Sequence, residues 1–254
     1  MRWVVASMFK DERPLLREWV AHYLAEGAAH FFLIDNGSSD APEEVLAEFG
    51  PLVTLVRDAH RQPLGTQTAL LNKHVLPLVR GGPGWVLVCD VDEYLYAQGG
   101  QTVGEVLASA PASVHKAWAP WKVFGSNGRE AQPEGVVAGF TRRAARVSEP
   151  YRRTRAGWES HLGVGKMLTR ASALVALDVH EAEVAPASPV WVPPALQLNH
   201  YMFMARDYYR DVKCARGGGQ TGQTGKYTMA YYAAAEPGCN EVEDLALFLK
   251  KKRR

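Results

Sequence analysis

This chain has few cysteines, no long apolar runs and a small net charge. Its 254 residues include three cysteines, Cys89, Cys214 and Cys239, which are too few and too far apart for a disulfide framework. No apolar run approaches the roughly 20 residues that would span a bilayer. The apolar stretch at the N-terminus is too short for a signal peptide and suits a first strand. We therefore expect a cytoplasmic protein with free thiols.

The charge pattern argues against a nucleic-acid partner. The formal net charge is +2, but residues 250–254 contribute five positive charges and leave −3 for the rest. A nucleic-acid-binding face would need basic residues interleaved with aromatics across the fold. The basic run follows a short predicted helix at 241–249, and the whole segment 240–254 allows two interpretations. It is either a solubilising tail or a peripheral contact with the inner face of an anionic membrane.

Apolar runs alternate with helical patterns over the first hundred residues, and the length suits one large α/β domain. The pattern predicts four strands and three helices, the strands at 3–7, 30–34, 52–56 and 85–89 and the helices at 11–27, 42–49 and 66–78. Such alternation predicts a parallel sheet with right-handed crossovers, in which ligands bind beyond the carboxyl ends of the strands.

Acidic residues collect at these predicted carboxyl ends. Asp35 and Asp58 each follow a strand, and a buried apolar run ends in Asp90, Asp92 and Glu93. Because side chains alternate along an extended backbone, we expect Asp90 and Asp92 to point the same way. Their mutual repulsion would then call for a divalent cation, with a phosphate-bearing ligand beside it. No glycine-rich phosphate loop follows the first strand, which favours a nucleotide held through metal.

Several short motifs occur in a fixed order along the chain. Those in the first hundred residues are Lys10-Asp11-Glu12, Glu18-Trp19, Phe31 to Asp40 and Asp90 to Leu95, and the later ones, which fit more loosely, are Trp121 to Gly128, Gly165-Lys166, Asn199-His200-Tyr201 and Arg216-Gly217. In this order the chain resembles the glycosyltransferases of families 2 and 92. The resemblance implies a type A glycosyltransferase fold, which is an α/β fold with a Rossmann-like, mostly parallel sheet flanked by helices.

The resemblance also implies an activity. The implied reaction transfers a sugar from a nucleotide sugar, usually a UDP sugar, to a saccharide or to a lipid-linked acceptor such as a glycolipid. It depends on a metal ion, Mn²⁺ or Mg²⁺. We expect an inverting enzyme of the hexosyltransferase type, as in polysaccharide biosynthesis. The chain lacks the Gln-x-x-Arg-Trp motif of processive family 2 members, so we expect single additions. Within one domain, 1–254, we expect a nucleotide-sugar-binding half at 1–100 and an acceptor-binding half at 101–235.

The metal ligands are expected at the strand ends. The resemblance makes Asp92 the first ligand, and we expect it to face solvent; Asp90 would lie beside it or turn toward the ribose. One aspartate and two diphosphate oxygens leave an octahedral ion short of ligands, and a neutral imidazole suits Mn²⁺. The resemblance implies a late histidine in this role, which we assign to His200. His180 and His161 are lesser candidates.

The nucleotide-sugar contacts are expected in the first hundred residues. Asp35 would accept a hydrogen bond from the uracil imide or the ribose. The full expected set is Lys10, Glu12, Asp35, Asp58, Gln67, Asn72 and Asp90. For Asp58 the alternative of an acid that only caps a turn stays open.

The second half of the chain offers the acceptor contacts. Aromatic side chains near a sugar site stack on pyranose rings, so we expect Trp121 to contact the acceptor, with Trp118 as a weaker candidate. We also expect Asn127, in the motif that begins at Trp121, to contact the acceptor. Core packing is the alternative for the tryptophans. The sequence does not single out a general base, and the candidates are Glu130, Glu159, Asp178 and Glu181.

Two loops and one rival function stay open. Six arginines in 142–155 indicate either a solvated loop or one near the phosphates or an acidic acceptor. The glycine-rich stretch 216–226 has no strand ahead of it, so it is a lid or a disordered loop rather than a phosphate loop.

The rival function is a non-catalytic nucleotide-sugar or glycan-binding protein on the same fold. A sugar-phosphate nucleotidylyltransferase would need a glycine-rich basic loop after strand one. The chain has no such loop there, so this function is not favoured.

Overall fold

The computed structural model describes residues 2–62, 64–147, 153–154, 157–158, 165–217 and 227–253. Its strands are β1 (Trp3–Phe9), β2 (His30–Asp35), β3 (Val53–Arg57), β4 (Trp85–Val88), β5 (Glu93–Ala97), β6 (Lys116–Val123), β7 (Arg142–Arg143), β8 (Arg153–Thr154), β9 (Gly157–Trp158), β10 (Gly165–Arg170), β11 (Leu174–Ala176), β12 (Glu183–Val184), β13 (Val190–Trp191), β14 (Leu196–His200) and β15 (Val242–Glu243).

Short helices connect many of these strands. They are α1 (Arg13–Ala25), α2 (Pro42–Leu46), α3 (Thr66–His74), α4 (Leu76–Val79), α5 (Val103–Ala108), α6 (Val136–Gly139), α7 (Arg206–Tyr208), α8 (Met229–Ala235) and α9 (Ala246–Lys252). A π-helix, Tyr209–Cys214, continues directly from α7. None of the helices in the described ranges is long and apolar enough to cross a membrane.

A nine-stranded sheet, counted over the described residues, organises the fold. Its order is β3-β2-β1-β4-β10-β6-β14-β5, and β13 pairs with β6 off this path. Five of its strand pairs are parallel and three are antiparallel. This arrangement confirms the predicted α/β class with a mostly parallel sheet flanked by helices.

The central strands are buried on both faces. In β1, Val5 belongs to the core on one face and Ala6 to the core on the other, and β4 alternates in the same way. Helices α1, α2, α5, α6 and α9 contribute to the first core, and α3 and α4 to the second. Gly84 lets β4 begin beside β1, because a Cβ there would lie 2.2 Å from the carbonyl oxygen of Arg2. The acidic strand end is therefore fixed from both sides.

The structure corrects several predicted boundaries. The acidic stretch is not one extended strand: β4 ends at Val88, a turn carries the two aspartates, and β5 begins at Glu93. The predicted helix 66–78 is divided at Val75 into α3 and α4, because Pro77 has no N–H to continue the hydrogen-bond pattern of α3 and lies instead in the first turn of a new helix. The C-terminal helix begins at Ala246 rather than at 241, because Val242 and Glu243 pair with β7 instead.

Candidate active site

A cleft of about 220 Å³ opens where β1, β2 and β4 end. In an open α/β sheet this edge is where ligands bind. The polar and charged side chains of the described residues that line the cleft are Lys10, Glu12, Asn36, Arg61, Gln67, Asp90, Asp92, His180, His200, Lys213 and Arg216. Carboxylates from the first half of the chain thus meet cations from the second half.

Asp90 is held by a glutamine and a buried lysine. Gln67 donates to Asp90 Oδ1 at 2.9 Å, and Lys166 Nζ lies 3.2 Å from Asp90 Oδ2. Lys166 is fully buried and also pairs with Glu93 at 3.1 Å and donates to the carbonyl of Val179. Burial raises the pKa of the Asp90 carboxyl, but Lys166, Gln67 and His200 together lower it by more, so the net pKa is lowered. Asp90 therefore stays ionised.

Asp92 is buried, so the expectation that it faces solvent is wrong. Lys213 Nζ lies 2.5 Å from Asp92 Oδ2 and donates to the carbonyl of Met202 at 2.6 Å. The other carboxylate oxygen, Oδ1, lies 3.6 Å from His200 Nε2. Burial raises the pKa of Asp92, but Lys213 and His200 hold it well below its usual range. Because the backbone turns between them, the two aspartates meet different lysines instead of sharing one partner.

Glu12 and Arg216 form a third ion pair at the cleft. Arg216 also donates to the carbonyl of Lys10 at 3.3 Å, and Arg61 donates to the carbonyl of Arg216 at 3.2 Å. Lys10 itself donates to the carbonyl of Gly37 at 2.5 Å. Burial raises the pKa of Glu12, while Arg216 lowers it in part. These bonds join the loops after β1 and β2 to the end of the helical segment that carries Lys213.

Three expected nucleotide contacts have other partners. Asp35 is buried, accepts from the backbone N–H of Ser38 at 2.7 Å and lies 3.3 Å from Arg57. The carboxylate of Asp58 binds Lys73 and His74 at 2.8 and 2.7 Å, and the first of these bonds holds its pKa well below the usual range. Asn72 exchanges two hydrogen bonds with the backbone of Leu177. None of the three belongs to the described lining of the cleft.

The expected acceptor contacts separate from one another. Trp121 lines the cleft, with its ring centroid 4.3 Å from that of His200 and 5.5 Å from that of His180. Asn127 instead supports a turn, at a φ of 55°, by bonding Thr141 and the backbone of Arg142. Trp118 is buried in the sheet, where the lack of a side chain at position 165 makes room for its indole.

The general-base candidates within the described residues lie outside the cleft lining. Glu130 is largely exposed and pairs with Arg206, and Glu181 pairs with Lys116. Asp178 accepts from the backbone N–H of the next residue. The candidate Glu159 and the histidine His161 lie outside the described residues, as do most of the 152–155 arginines and positions 218–226.

The arginines that begin the basic loop have structural partners. Arg142 donates to the carbonyls of Asn240 and Glu241, and Arg143 pairs with Asp244 at 2.7 Å. Arg146 is exposed. The arginines of β7 therefore hold the C-terminal segment and do not contact the cleft.

The residues at Asp92 fit a divalent cation with two protein ligands. Asp92 Oδ1 has no hydrogen-bond partner among the described residues and faces His200 Nε2. A carboxylate and an imidazole are both ligands that Mn²⁺ accepts. No group of three or more His, Cys, Asp or Glu side chains within the described ranges is placed to bind a metal. Asp90 points to Gln67 and Lys166 instead, so further ligands would have to come from the substrate.

Two lysines at the cleft escaped the sequence prediction. Lys166 occurs in a quoted motif without an assigned role, and Lys213 lies three residues before the motif Arg216-Gly217, outside every quoted motif. A buried lysine has the same sequence signature as an exposed one. The one available signal was the spacing of Lys213 and Arg216, which puts two cations on neighbouring turns of a helix.

The motif-based resemblance is confirmed by comparison with known proteins. No protein-family model matches the chain. A glycosyltransferase family 92 protein of Oryza sativa subsp. japonica is 31% identical over 144 residues, which is 56% of this chain and 24% of the relative. A glycosyltransferase family 92 protein of Arabidopsis thaliana is 23% identical over 166 residues, 56% of this chain and 26% of the relative. The matches span about a quarter of the length of these relatives.

Two solved structures are also similar at low scores. S. aureus TarS 1–349 matches 68% of this chain and 48% of its own, with 16% identity and a TM-score of 0.36. HddC from Yersinia pseudotuberculosis matches 82% of this chain and 96% of its own, with 10% identity and a TM-score of 0.42. The fold class rests on the strand order of the chain itself.

Proposed function

We propose that this chain is a glycosyltransferase that moves a sugar from a nucleotide sugar, with a UDP sugar as donor, to a saccharide or lipid-linked acceptor. One observation carries the proposal. The cleft at the strand ends combines Asp90 and Asp92 with a histidine and several cations, next to an aromatic wall. The similarity to family 92 glycosyltransferases over 56% of the chain supports the same reaction class.

The cations of the cleft suit a diphosphate. Lys10, Lys213 and Arg216 all line it, and charge-assisted hydrogen bonds to phosphate oxygens are among the strong ones. Gln67 and Asn36 line the same wall and would contact the nucleoside. The donor would therefore lie along the ends of β1, β2 and β4, with its diphosphate toward the helical segment.

The sugar would lie against the aromatic side of the cleft. Trp121 and Tyr227 line it, and aromatic rings stack on the apolar faces of pyranose rings. The indole Nε1 of Trp121 is buried and has no hydrogen-bond partner among the described residues. That N–H would donate to a sugar hydroxyl.

Asp92 and His200 would hold Mn²⁺ or Mg²⁺, which when bound supplies Lewis-acid stabilisation of the departing diphosphate. Asp90, ionised and fixed by Lys166, would accept from the donor ribose. An inverting transfer also needs a carboxylate to deprotonate the acceptor, a contribution of roughly 10²–10⁴ in rate. The described acids that line the cleft are Glu12, Asp90 and Asp92, and each already has a cationic partner. Glu159 therefore stays a candidate for this base.

Nucleoside diphosphate release tests the proposal directly. The protein is incubated with a panel of UDP, GDP and dTDP sugars and Mn²⁺, with and without saccharide acceptors, and the released diphosphate is measured. We expect release from a UDP sugar that rises when an acceptor is added. UDP binding without turnover of any donor would support the rival, a non-catalytic binding protein.

The metal ligands have a separate test. Replacing His200 by Ala should raise the Mn²⁺ concentration needed for half-maximal release by about tenfold or more, because one of two protein ligands is lost. His180→Ala is the matched control, since His180 packs on the same tryptophan but lies near the carbonyl of Gly165. An equal Mn²⁺ requirement in the His200 variant and the parent would remove His200 from the ligand set.

Asp35 has a test that needs no metal. If it contacts the nucleoside, Asp35→Ala weakens UDP binding measured in EDTA. If its bonds to Ser38 and Arg57 are its only role, UDP affinity stays unchanged in the folded variant and only stability falls.

A further inference from the structure

A buried ammonium group occupies one oxygen of the carboxylate that would bind the metal. Lys213 is 1% exposed, and its Nζ is 2.5 Å from Asp92 Oδ2 and 2.6 Å from the carbonyl oxygen of Met202. Lys213 also lines the cleft. It is thus both a partner of Asp92 and a wall of the site in which a donor diphosphate would bind.

We propose that Lys213 is a built-in cation that competes with divalent metal for Asp92 and binds the donor diphosphate, so that nucleotide binding persists without metal. The inference rests on the proposed function, because it assigns a role toward the same donor. It adds a residue that the motifs did not single out.

The ion pairs of the cleft show why a metal is not needed to balance its acids. Three carboxylates line the described part of the cleft, and each meets a different cation: Glu12 meets Arg216, Asp90 meets Lys166, which it shares with Glu93, and Asp92 meets Lys213. The repulsion between Asp90 and Asp92, which by itself would call for an ion, is already offset by two lysines. An incoming diphosphate therefore meets a cleft whose acids are neutralised and whose cations lie beside them.

Competition follows from geometry. A metal bound to Asp92 Oδ1 would share one carboxylate group with the ammonium on Oδ2, so two cations would lie within a few ångströms in a buried site. Such charges repel strongly where water is excluded. A buried lysine without an anionic partner is also costly, so Lys213 would leave Asp92 only for another anion. The donor diphosphate is the anion that the proposed function supplies.

Lys213 and Lys166 differ in a way that assigns this role to Lys213. Lys166 is fully buried between Glu93, Asp90 and a carbonyl group, and it is not part of the cleft lining as described. Lys213 sits in the π-helix Tyr209–Cys214, three residues before Arg216, which also lines the cleft. Single π-turns occur often at functional sites because they change which side chains face a ligand.

Two binding measurements test the inference on the full chain. Mn²⁺ affinity is measured without nucleotide by electron paramagnetic resonance, and UDP affinity is measured by calorimetry in EDTA and in Mn²⁺. The variant is Lys213→Met, which keeps the chain length and removes the charge. Arg210→Met is the control, because Arg210 is exposed in the same helical segment and pairs with Asp211.

We expect opposite effects on the two ligands. Lys213→Met should bind Mn²⁺ about tenfold or more tightly, because Asp92 loses its competitor, and UDP in EDTA about tenfold or more weakly, because a charged hydrogen bond is lost. Added Mn²⁺ should then restore UDP binding in the variant. In the parent, UDP affinities in EDTA and Mn²⁺ should differ by less than about threefold, and Arg210→Met should match the parent.

Several results would overturn the inference. If the parent protein binds UDP only when Mn²⁺ is present, the inference about Lys213 is overturned, while the proposed glycosyltransferase function still stands. Mn²⁺ and UDP affinities that are unchanged in folded Lys213→Met would also overturn the inference. If that variant does not fold, Lys213→Arg keeps the charge, and it should retain UDP binding in EDTA. Parent protein that binds no nucleoside diphosphate in either condition would overturn both proposals, whereas metal-free UDP binding without sugar transfer would overturn only the proposed function.

Discussion

The two halves of the chain contribute different things to the cleft. In residues 2–100 the strands β1, β2, β3 and β4 pair in parallel, and their ends bring Glu12, Asp90 and Asp92 together. In the second half β10 inserts between β4 and β6, and β14 between β6 and β5. That half supplies the cations that pair with these acids, Lys166, Lys213 and Arg216, whereas Lys10 and Arg61 of the first half also line the cleft. The site is therefore made of local acids and distant bases, joined by pairs such as Asp92 with Lys213, which are 121 positions apart.

The difference has a consequence for mutations. An acid in the first half and its cation in the second form one buried unit, so removing either leaves the other unpaired. Breaking a buried pair costs about 3–5 kcal/mol, whereas replacing both partners is often neutral. Single and double variants across the halves thus separate the role of a residue in folding from its role in the reaction.

Asp92 should show the largest effect. Under the proposed function, Asp92→Asn is expected to lower nucleoside diphosphate release by about 10²–10³-fold, because the charge that would hold the cation beside the departing diphosphate is lost. It should also destabilise the fold, since Lys213 stays buried without its partner. Urea unfolding and the release assay measure the two effects on the same protein.

The double variant Asp92→Asn, Lys213→Met is the control for this prediction. It should regain most of the lost stability, because no buried charge stays unpaired, and it should stay inactive. Recovery of activity together with stability would show that Asp92 acts on the fold alone.

The same contrast explains what the sequence could and could not predict. Strand ends in the first half carry their acids within a few residues of a recognisable apolar run, so Asp90 and Asp92 were placed at the sheet edge. The alternation argument then failed, because the turn between β4 and β5 sends the two side chains to different lysines. The fold class could be predicted for the same reason, because the apolar runs and helical patterns that define it are also local features of the sequence.

The cations could not be assigned by the same means. Lys166 becomes buried only because β10 pairs with both β4 and β6, and the sequence holds no local signal for that pairing. Lys213 faces Asp92 from a π-helix, whose side-chain directions differ from those of the α-helix that the spacing predicted. Glu130 and Glu181 illustrate the converse error, since these acids of the second half pair with Arg206 and Lys116 instead of lining the cleft.

Lys166 gives the next largest effect, this time on stability. Lys166→Met should lower the free energy of unfolding by about 3–5 kcal/mol, because Glu93 and Asp90 lose the cation between them. Urea unfolding measures it. Lys73→Met is the matched control: its ammonium also binds a carboxylate, that of Asp58, but the lysine is mostly exposed, so about 1 kcal/mol or less is expected. Equal losses in both variants would contradict the distinction between buried and surface pairs.

Glu93 predicts a pH dependence of stability. Burial raises its pKa from 4.5 to about 8, although Lys166 opposes the rise. Between these values the unfolded chain releases a proton that the folded protein keeps, so stability from this group falls as pH rises from 4.5 to about 8. Glu93→Gln removes this titration. We expect the stability of the parent, relative to the Gln variant, to fall by at least about 1 kcal/mol across that range.

Thermal or urea unfolding of both proteins at several pH values checks this prediction. Because other carboxyl groups titrate in both proteins alike, the difference between parent and variant isolates Glu93. A difference that stays constant, or that grows with pH, would mean that the pair with Lys166 keeps Glu93 ionised.

The C-terminal cations should give the smallest effect, and the structure changes how they must be tested. Lys250 pairs with Glu26 at 2.5 Å, and Lys251 pairs with Glu18 at 2.8 Å. A chain ending at Leu249 would therefore lose these two ion pairs, and the hydrogen bonds of Lys250 to the carbonyls of Ala97 and Gln101, as well as the basic charges. Lys252 and Arg253 are exposed and are the better positions to change.

We propose that these exposed cations give a weak contact with an anionic membrane, where a lipid-linked acceptor would be found. A basic residue near such a surface contributes about 1 kcal/mol, so changing both Lys252 and Arg253 to Gln should weaken co-sedimentation with phosphatidylserine vesicles by roughly fivefold per residue. Lys250→Gln, the control, should instead lower stability, because Glu26 is buried and loses its partner. Equal vesicle binding by the double variant and the parent would leave the tail a solubilising one. Because Lys250 and Lys251 are bound to acids of α1, the membrane contact would rest on fewer charges than the run of five suggests.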